Sequence, residues 1–284
     1  MLSANRLVPL AAAAALAFTG CGGDDPETPD QPPAELLRAA AENPVESGEA
    51  AIEIAAELEG DSVVAGPSRV TAQGPFEHGE GALPRFELEG EAEVAGFGID
   101  GAVVSTGDDA FVDFFGELYR VGPERVAAIE DRLAASGGGG LDVAGWIADP
   151  AYGEIDEVGG ADAQQVEGTL RTDAAAAELG ALAEAIGVPP LVQALADGAR
   201  PGPVEVWVAL DDTTIRRVRV QFPFTVPPEL LAAARGIRSG SVTLEAEVSD
   251  VGAEVEIEPP AGGGFKPIES LIEELRGLAR LGGL

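Results

Sequence analysis

The chain has one cysteine, Cys21, and one histidine, His78, among 284 residues, and that scarcity bounds its chemistry. Cys21 stands at the end of an apolar run that begins at Leu7, directly after Phe18-Thr19-Gly20. Its thiol is the one group open to S-alkylation, and the small residues before it let a peptidase reach the backbone. His78, between Glu77 and Gly79 in a Gly/Pro-rich stretch, lacks a cysteine partner or the companions a zinc site needs and reads as a surface loop residue. No Gly-x-Ser-x-Gly elbow, Walker loop or Gly-x-Gly-x-x-Gly after a strand occurs. Gly137 to Gly140 is low complexity, and Gly96-Phe97-Gly98 lacks the third glycine. Carboxylate pairs are everywhere and single out nothing; Asp108-Asp109 and Asp211-Asp212 fit turn chemistry, with weak Ca²⁺ binding as the alternative. The one basic cluster is Arg216, Arg217 and Arg219. These arginines pair across strands with glutamates or, at the mouth of a cavity, hold a phosphate or sugar carboxylate. No enzyme, cofactor or metal site is expected.

Stepping outward from Cys21, Arg6 followed by a short apolar run makes a secretory signal, too short to cross a bilayer as a stable helix. Phe18-Thr19-Gly20-Cys21 resembles the bacterial lipobox. That resemblance implies a diacylglyceryl group on the Cys21 sulfur, cleavage before Cys21, and a chain held at the extracytoplasmic face of the cell membrane. An ordinary secretory signal with an incidental cysteine is the alternative. The expected organisation is a signal over 1–20, an acylated cysteine and disordered tether over 21–33, and one domain over 34–284. Residues Gly22 to Pro33 combine proline, glycine and acid with nothing apolar to bury, as a tether does. With 17 basic residues against 50 acidic ones the formal charge is −33, so nucleic acid and anionic head groups are repelled as nonspecific partners. A lone cysteine forbids an intramolecular disulfide, and the fold must be held by packing.

Period-two patterning dominates the domain. Ile52, Ile54, Ala56 and Leu58 alternate with Glu53, Glu57 and Glu59, and Phe86, Leu88, Gly90, Ala92 and Val94 alternate with Glu87, Glu89, Glu91 and Glu93. One face is dry and the other acid-coated, which predicts strands of a mostly antiparallel sheet. The same beat recurs over 99–105 and 242–248, and in Val255 and Ile257. Hairpins are expected over 109–121, turning near Phe115-Gly116, and over 203–224, turning at Asp211-Asp212-Thr213. Helices are expected over 34–42, from Pro123 with Val126, Ile129 and Leu133 as its stripe, over 141–148, over 173–186 with a second piece from Pro189, and along Ile268, Leu271, Ile272, Leu275 and Leu278. A strand over 164–171 separates the helical stretches.

The small residues Ala56, Gly90, Ala92 and Ala246 on the dry strand face, opposite an alanine-rich helical stretch, leave room for a cavity; closer sheet-to-helix approach would fill the same space without one. Candidate lining residues are Leu88, Ala92, Val94, Val206, Val208 and Val220 from strands and Leu179, Ala183 and Ile186 from the covering helix, with Arg216, Arg217 and Arg219 at the mouth.

Leu118-Tyr119-Arg120-Val121, Trp146 with Asp149-Pro150, the passage from Gly159-Gly160 to Val166-Glu167-Gly168, and Val206-Trp207-Val208 leading to Arg217-Val218 resemble the LppX/LprAFG-type lipoproteins of actinobacteria. The resemblance implies an α+β fold: a strongly curved, mostly antiparallel sheet, a half-barrel wrapped around inserted helices, similar to the LolA/LolB carriers. It further implies an apolar cavity for acyl chains of a lipid or glycolipid, a membrane tie through acylated Cys21, and no catalytic residues. A surface interaction lipoprotein with an envelope protein partner and no cavity is the alternative. The extreme acidity departs from the family pattern and weighs against anionic lipids.

Overall fold

Alternation of apolar and acidic residues drives the chain into long extended segments, and the computed structural model shows them joined in a single twelve-stranded sheet. It describes residues 27–62, 65–78, 83–94, 96–135, 143–175, 198–228, 231, 234 and 236–281. The strands are β1 (Ser47–Gly60), β2 (Gly66–Glu77), β3 (Arg85–Val94), β4 (Phe97–Thr106), β5 (Ala110–Phe114), β6 (Glu117–Arg120), β7 (Ile147–Val158), β8 (Ala161–Leu170), β9 (Pro203–Ala209), β10 (Ile215–Thr225), β11 (Ile237–Ser249) and β12 (Lys266–Pro267). The helices are α1 (Pro33–Ala41), α2 (Pro123–Ala135), α3 (Val143–Trp146) and α4 (Ile268–Leu281).

The spatial order β12-β6-β5-β4-β3-β2-β1-β11-β10-β9-β8-β7 is two antiparallel meanders joined where β1 pairs with β11. Only the short β12 runs parallel to its neighbour, β6. The sheet is mostly antiparallel, as the patterning predicts, and open and curved, as the resemblance implies. Bulges add local bend: one at Glu59/Gly60, one at Ile215/Arg217 and two in β7.

Packing concentrates at the two ends of this sheet. On the inner face of β8 to β10, Val166, Leu170, Val204, Val206, Val208 and Val220 bury against Leu36, Leu37 and Ala40 of α1, Trp146 of α3 and Ala175. Helix α1 starts with Pro33 at its first turn, where the missing amide hydrogen costs nothing, and its buried stripe faces this core. At the other end Tyr119 packs with Ile268 and Leu271 of α4. A third cluster sits on the outer face, where Ile257, with Val255 and Phe265 packed against it, joins Val104 and Phe111.

Two expectations need correction, and β2 was not foreseen. The helix expected over 141–148 is a single turn, Val143–Trp146, and Ile147 already begins β7. Asp149, in the left-handed region at φ 52°, and Pro150 bend that strand at its start, which imitates a helix end in the sequence. Val255 and Ile257 form no strand; the segment crosses the outer face, and the Ile257 carbonyl accepts from Arg85. Strand β2 had no sequence signal, because Pro67, Gly74 and Pro75 interrupt its alternation. Its pairing with β3 lapses at 74–75 and resumes in the same register, since Pro75 has no amide hydrogen for the ladder. Of the helices expected over 173–186 and from Pro189, only 173–175 falls within the described residues.

This distribution of burial predicts unequal mutational costs. Trp146, 1% exposed, should lose about 3–5 kcal/mol on truncation to alanine, whereas Ile54→Ala, at a site 38% exposed, should cost less than about 1.5 kcal/mol. Urea melts of the two variants check this; comparable losses would place the core elsewhere.

Candidate functional site

The inner face can be followed strand by strand from the registers. One row runs Val204, Val220, Leu244, Ile54, Val70, Ala92, Ile99. The next runs Val206, Val218, Ala246, Ile52, Ala72, Gly90, Gly101, Phe114. Along both rows the chemistry changes midway. Val204, Val206, Val208 and Val220 are fully buried under α1 and α3. Ile54, Val70 and Val103, in the long central strands, are 38%, 40% and 38% exposed, and Ile52, Ala72, Leu88, Ala92, Leu244 and Ala246 around them are half-buried.

In the middle of this apolar stretch the floor has little side chain at all. Ala72, Gly90 and Gly101 lie side by side on β2, β3 and β4. A Cβ at Gly90 would stand 2.7 Å from the Thr71 carbonyl oxygen and one at Gly101 would stand 2.8 Å from that of Asp113. The neighbouring strands approach too closely for a larger residue, so the bare stripe is a backbone requirement.

Of the lining residues expected from sequence, Leu88 and Ala92 lie in the half-covered region, and Val94 ends β3 opposite Phe97. Val206, Val208 and Val220 belong to the filled core, and Leu179, Ala183 and Ile186 lie outside the described residues. Cys21 and Gly137 to Gly140 are likewise outside them.

The three arginines do not act together. Arg217 donates from Nε to Glu247 at 2.9 Å and lies 5.3 Å over the Trp207 ring. Arg219 reaches Glu205 at 3.9 Å and Glu245 at 3.7 Å. Both neutralise the acidic outer face, the cross-strand role expected of them. Arg216 instead is buried, donates to Asp212 at 2.6 Å, and keeps an Nε without a partner. Burial works against ionisation of Asp212, but hydrogen bonds from the Thr214 hydroxyl and amide and the charge of Arg216 outweigh it, and the carboxyl titrates below its usual range. The i,i+4 spacing of Asp212 and Arg216 across a turn, with Thr214 between, was the available sequence signal for this pair. At the opposite end, burial and the adjacent carboxylates of Glu117 and Glu274 push the Tyr119 hydroxyl well above its ordinary pKa, so it stays protonated and its single O–H is shared between acceptors at 2.9 and 3.1 Å.

Away from the cluster under Ile257, the outer face of β2 to β5 is polar. A groove of about 630 Å³ there is lined by Thr71, Gln73, Glu89, Glu91, Asp100 and Asp113, with Phe115 at its end. Among the described residues no three His, Cys, Asp or Glu side chains gather as a metal site, and no helix is long and apolar enough to cross a membrane.

No family model matches the sequence, and no curated protein matches it. Among solved structures the chain is similar to LprF from Mycobacterium bovis, at 17% identity and a TM-score of 0.45 over 81% of this chain and 97% of that one. It is also similar to the lipoprotein LppX from Mycobacterium tuberculosis, at 14% identity and a TM-score of 0.42 over 79% and 97%. A LolA superfamily protein from Nitrosomonas europaea aligns at 12% identity and a TM-score of 0.23 over 77% and 94%.

The Asp212–Arg216 pair gives a pH prediction. A carboxyl whose folded pKa is depressed adds stability that is complete above its unfolded pKa, near 4, and is lost as pH falls through the folded value. Urea midpoints of the wild type should fall on acidification below about pH 4. Asp212→Asn should be less stable at pH 7 by about 1–2 kcal/mol, a figure kept small because the Asp212 side chain is 36% exposed, and its acid-limb slope should be shallower.

Proposed function

We propose that the chain is a lipoprotein of the cell envelope that binds or carries lipid or glycolipid acyl chains on the inner apolar face of its sheet. The observation that supports this most is the half-exposed stretch around Ile54, Val70 and Val103, with its bare floor of Ala72, Gly90 and Gly101. Aliphatic side chains left a third exposed along 10- to 14-residue strands gain when hydrocarbon replaces water and fills contacts the lining lacks. A flat alkyl chain fits a stripe without side chains. The lipobox-like Cys21 supplies the anchor, and similarity in fold to mycobacterial lipoproteins agrees with the reading.

Two experiments test its two halves. Cys21→Ala should shift the protein from the detergent phase to the aqueous phase on partitioning, because two or three acyl chains hold firmly at roughly 0.8 kcal/mol per buried methylene; equal partitioning refutes the anchor. For the ligand, the Cys21→Ala chain, purified without detergent, should take up a fluorescent fatty acid. Ala72→Phe, which fills the floor beside Gly90, should weaken that uptake on the order of tenfold while leaving the urea midpoint nearly unchanged. Absence of uptake by the parent chain, or indifference to Ala72→Phe, rejects the carrier. A second reading, an interaction lipoprotein without ligand, is favoured by one observation, the groove of about 630 Å³ on the acidic outer face.

A further inference from the structure

Among the described residues the two most exposed large apolar side chains, Phe97 at 74% and Phe115 at 64%, stand on the tips of neighbouring hairpins. β3 ends at Val94 opposite Phe97, the first residue of β4, and β5 and β6 close through Phe115-Gly116, with Phe114 opposite Glu117. Both turns lie at the same end of β4. Both rings stay largely in water, although Phe115 packs edge-on against Phe114 with centroids 4.7 Å apart. Phe115 sits at φ 53°, followed by Gly116 at φ 76°, in a two-residue turn whose left-handed first position favours Asn, Asp or Gly. A bulky aromatic there is strained, and strain kept for a ring that is still mostly exposed marks a candidate functional position.

The geometry points to a flat partner. Gly101 faces Phe114, which puts Phe115 level with Asp100, three residues short of Phe97, or roughly 10 Å along the strand direction. The hairpins are two strand spacings apart, again roughly 10 Å. The two rings therefore stand roughly 14 Å apart at one end of the sheet, close enough for one broad surface to meet both. From Cys21 to α1 at Pro33 the chain spans 12 residues, enough to reach about 40 Å when extended, and an anchored domain could turn this end towards its own membrane. Glu93, Asp100, Asp113 and Glu117 surround the tips, which selects against an anionic surface.

We propose that Phe97 and Phe115 insert together into the head-group region of a zwitterionic bilayer and seat the mouth of the apolar face on it. The purpose of this docking rests on the carrier reading, but its test does not. The full chain with Cys21→Ala, which has no acyl anchor, is sedimented with phosphatidylcholine vesicles, and uptake of a monomeric fluorescent fatty acid is measured without vesicles. The parent should sediment with the vesicles, and replacing part of the lipid with phosphatidylglycerol should weaken binding. Phe97→Ser with Phe115→Asn should cut the bound fraction on the order of tenfold, leave monomer uptake unchanged and melt no lower than the parent, since asparagine suits the left-handed position. Failure of the parent to bind vesicles, or equal binding by the double variant, overturns the proposal. So does loss of a cross-linked envelope protein with vesicle binding intact, which would make the tips a protein contact. Vesicle binding that depends on the tips without fatty-acid uptake leaves the docking standing and removes the carrier reading.

Discussion

Everything in this fold depends on the ladder between β1 and β11, which runs from Glu49 opposite Ser249 to Gly60 opposite Ile237. Each meander is local and could form by itself, but neither closes a core. Pairing the first strand with the eleventh brings α1 and the β7 to β10 core into one sheet with β2 to β6 and α4. A shift of one residue in that ladder would carry Ile52, Ile54 and Leu58 to the acidic side and Glu53 and Glu57 to the dry one. The alternation that specifies each strand is therefore also what specifies their assembly.

The same register concentrates charge. Glu53 lies directly opposite Glu245, and β3 presents four glutamates on one face, arrangements that disfavour pairing. The few cations are placed where they help most: Glu245 is approached by both Arg217 and Arg219, each at 3.7 Å, and Glu53 by Arg69 at 2.6 Å. Such exposed pairs contribute little individually. Their value lies in relieving repulsion at the seams between β1, β2, β10 and β11, so the acidic face is tolerated because the opposite face is apolar enough to hold the sheet.

Where the alternation was unbroken, the sequence was readable: β1, β3, β4, the two hairpins and β11 follow from periodicity, and α1, α2 and α4 from their apolar stripes. It failed where chain chemistry and tertiary context disagree. β2 is held by strands on both sides despite Pro67 and Pro75, information that resides in its neighbours. β7 begins with a left-handed Asp149 and carries two bulges, so its side chains never alternate cleanly. Ile257 is apolar because it covers Phe111 on the outer face, which looks in sequence like one more strand. For the site, the small residues Gly90 and Ala92 were legible, but their position beside Ala72 and Gly101 needs the register across three strands. The separation of Arg216 from Arg217 and Arg219 follows from strand alternation, which puts residues 217 and 219 on one face and 216 on the other; it was legible in the sequence, and grouping the three by composition hid it.

The half-exposed apolar face follows from a mismatch of lengths. β1 to β4 run 10 to 14 residues, whereas β5 and β6 run 5 and 4 and β9 runs 7. Among the described residues the helices meet the sheet at β7 and β9 on one side and at β6 and β12 on the other. The long central strands thus hold more inner surface than these helices cover. Ladder hydrogen bonds on both sides of every central strand keep that region formed where no described helix packs on it. Leaving aliphatic groups in water forfeits stabilisation of roughly 25 cal/mol for each Å² of apolar area. That deficit persists until something apolar lies over the strands, and the strength of any such binding is set by how much of it the ligand removes.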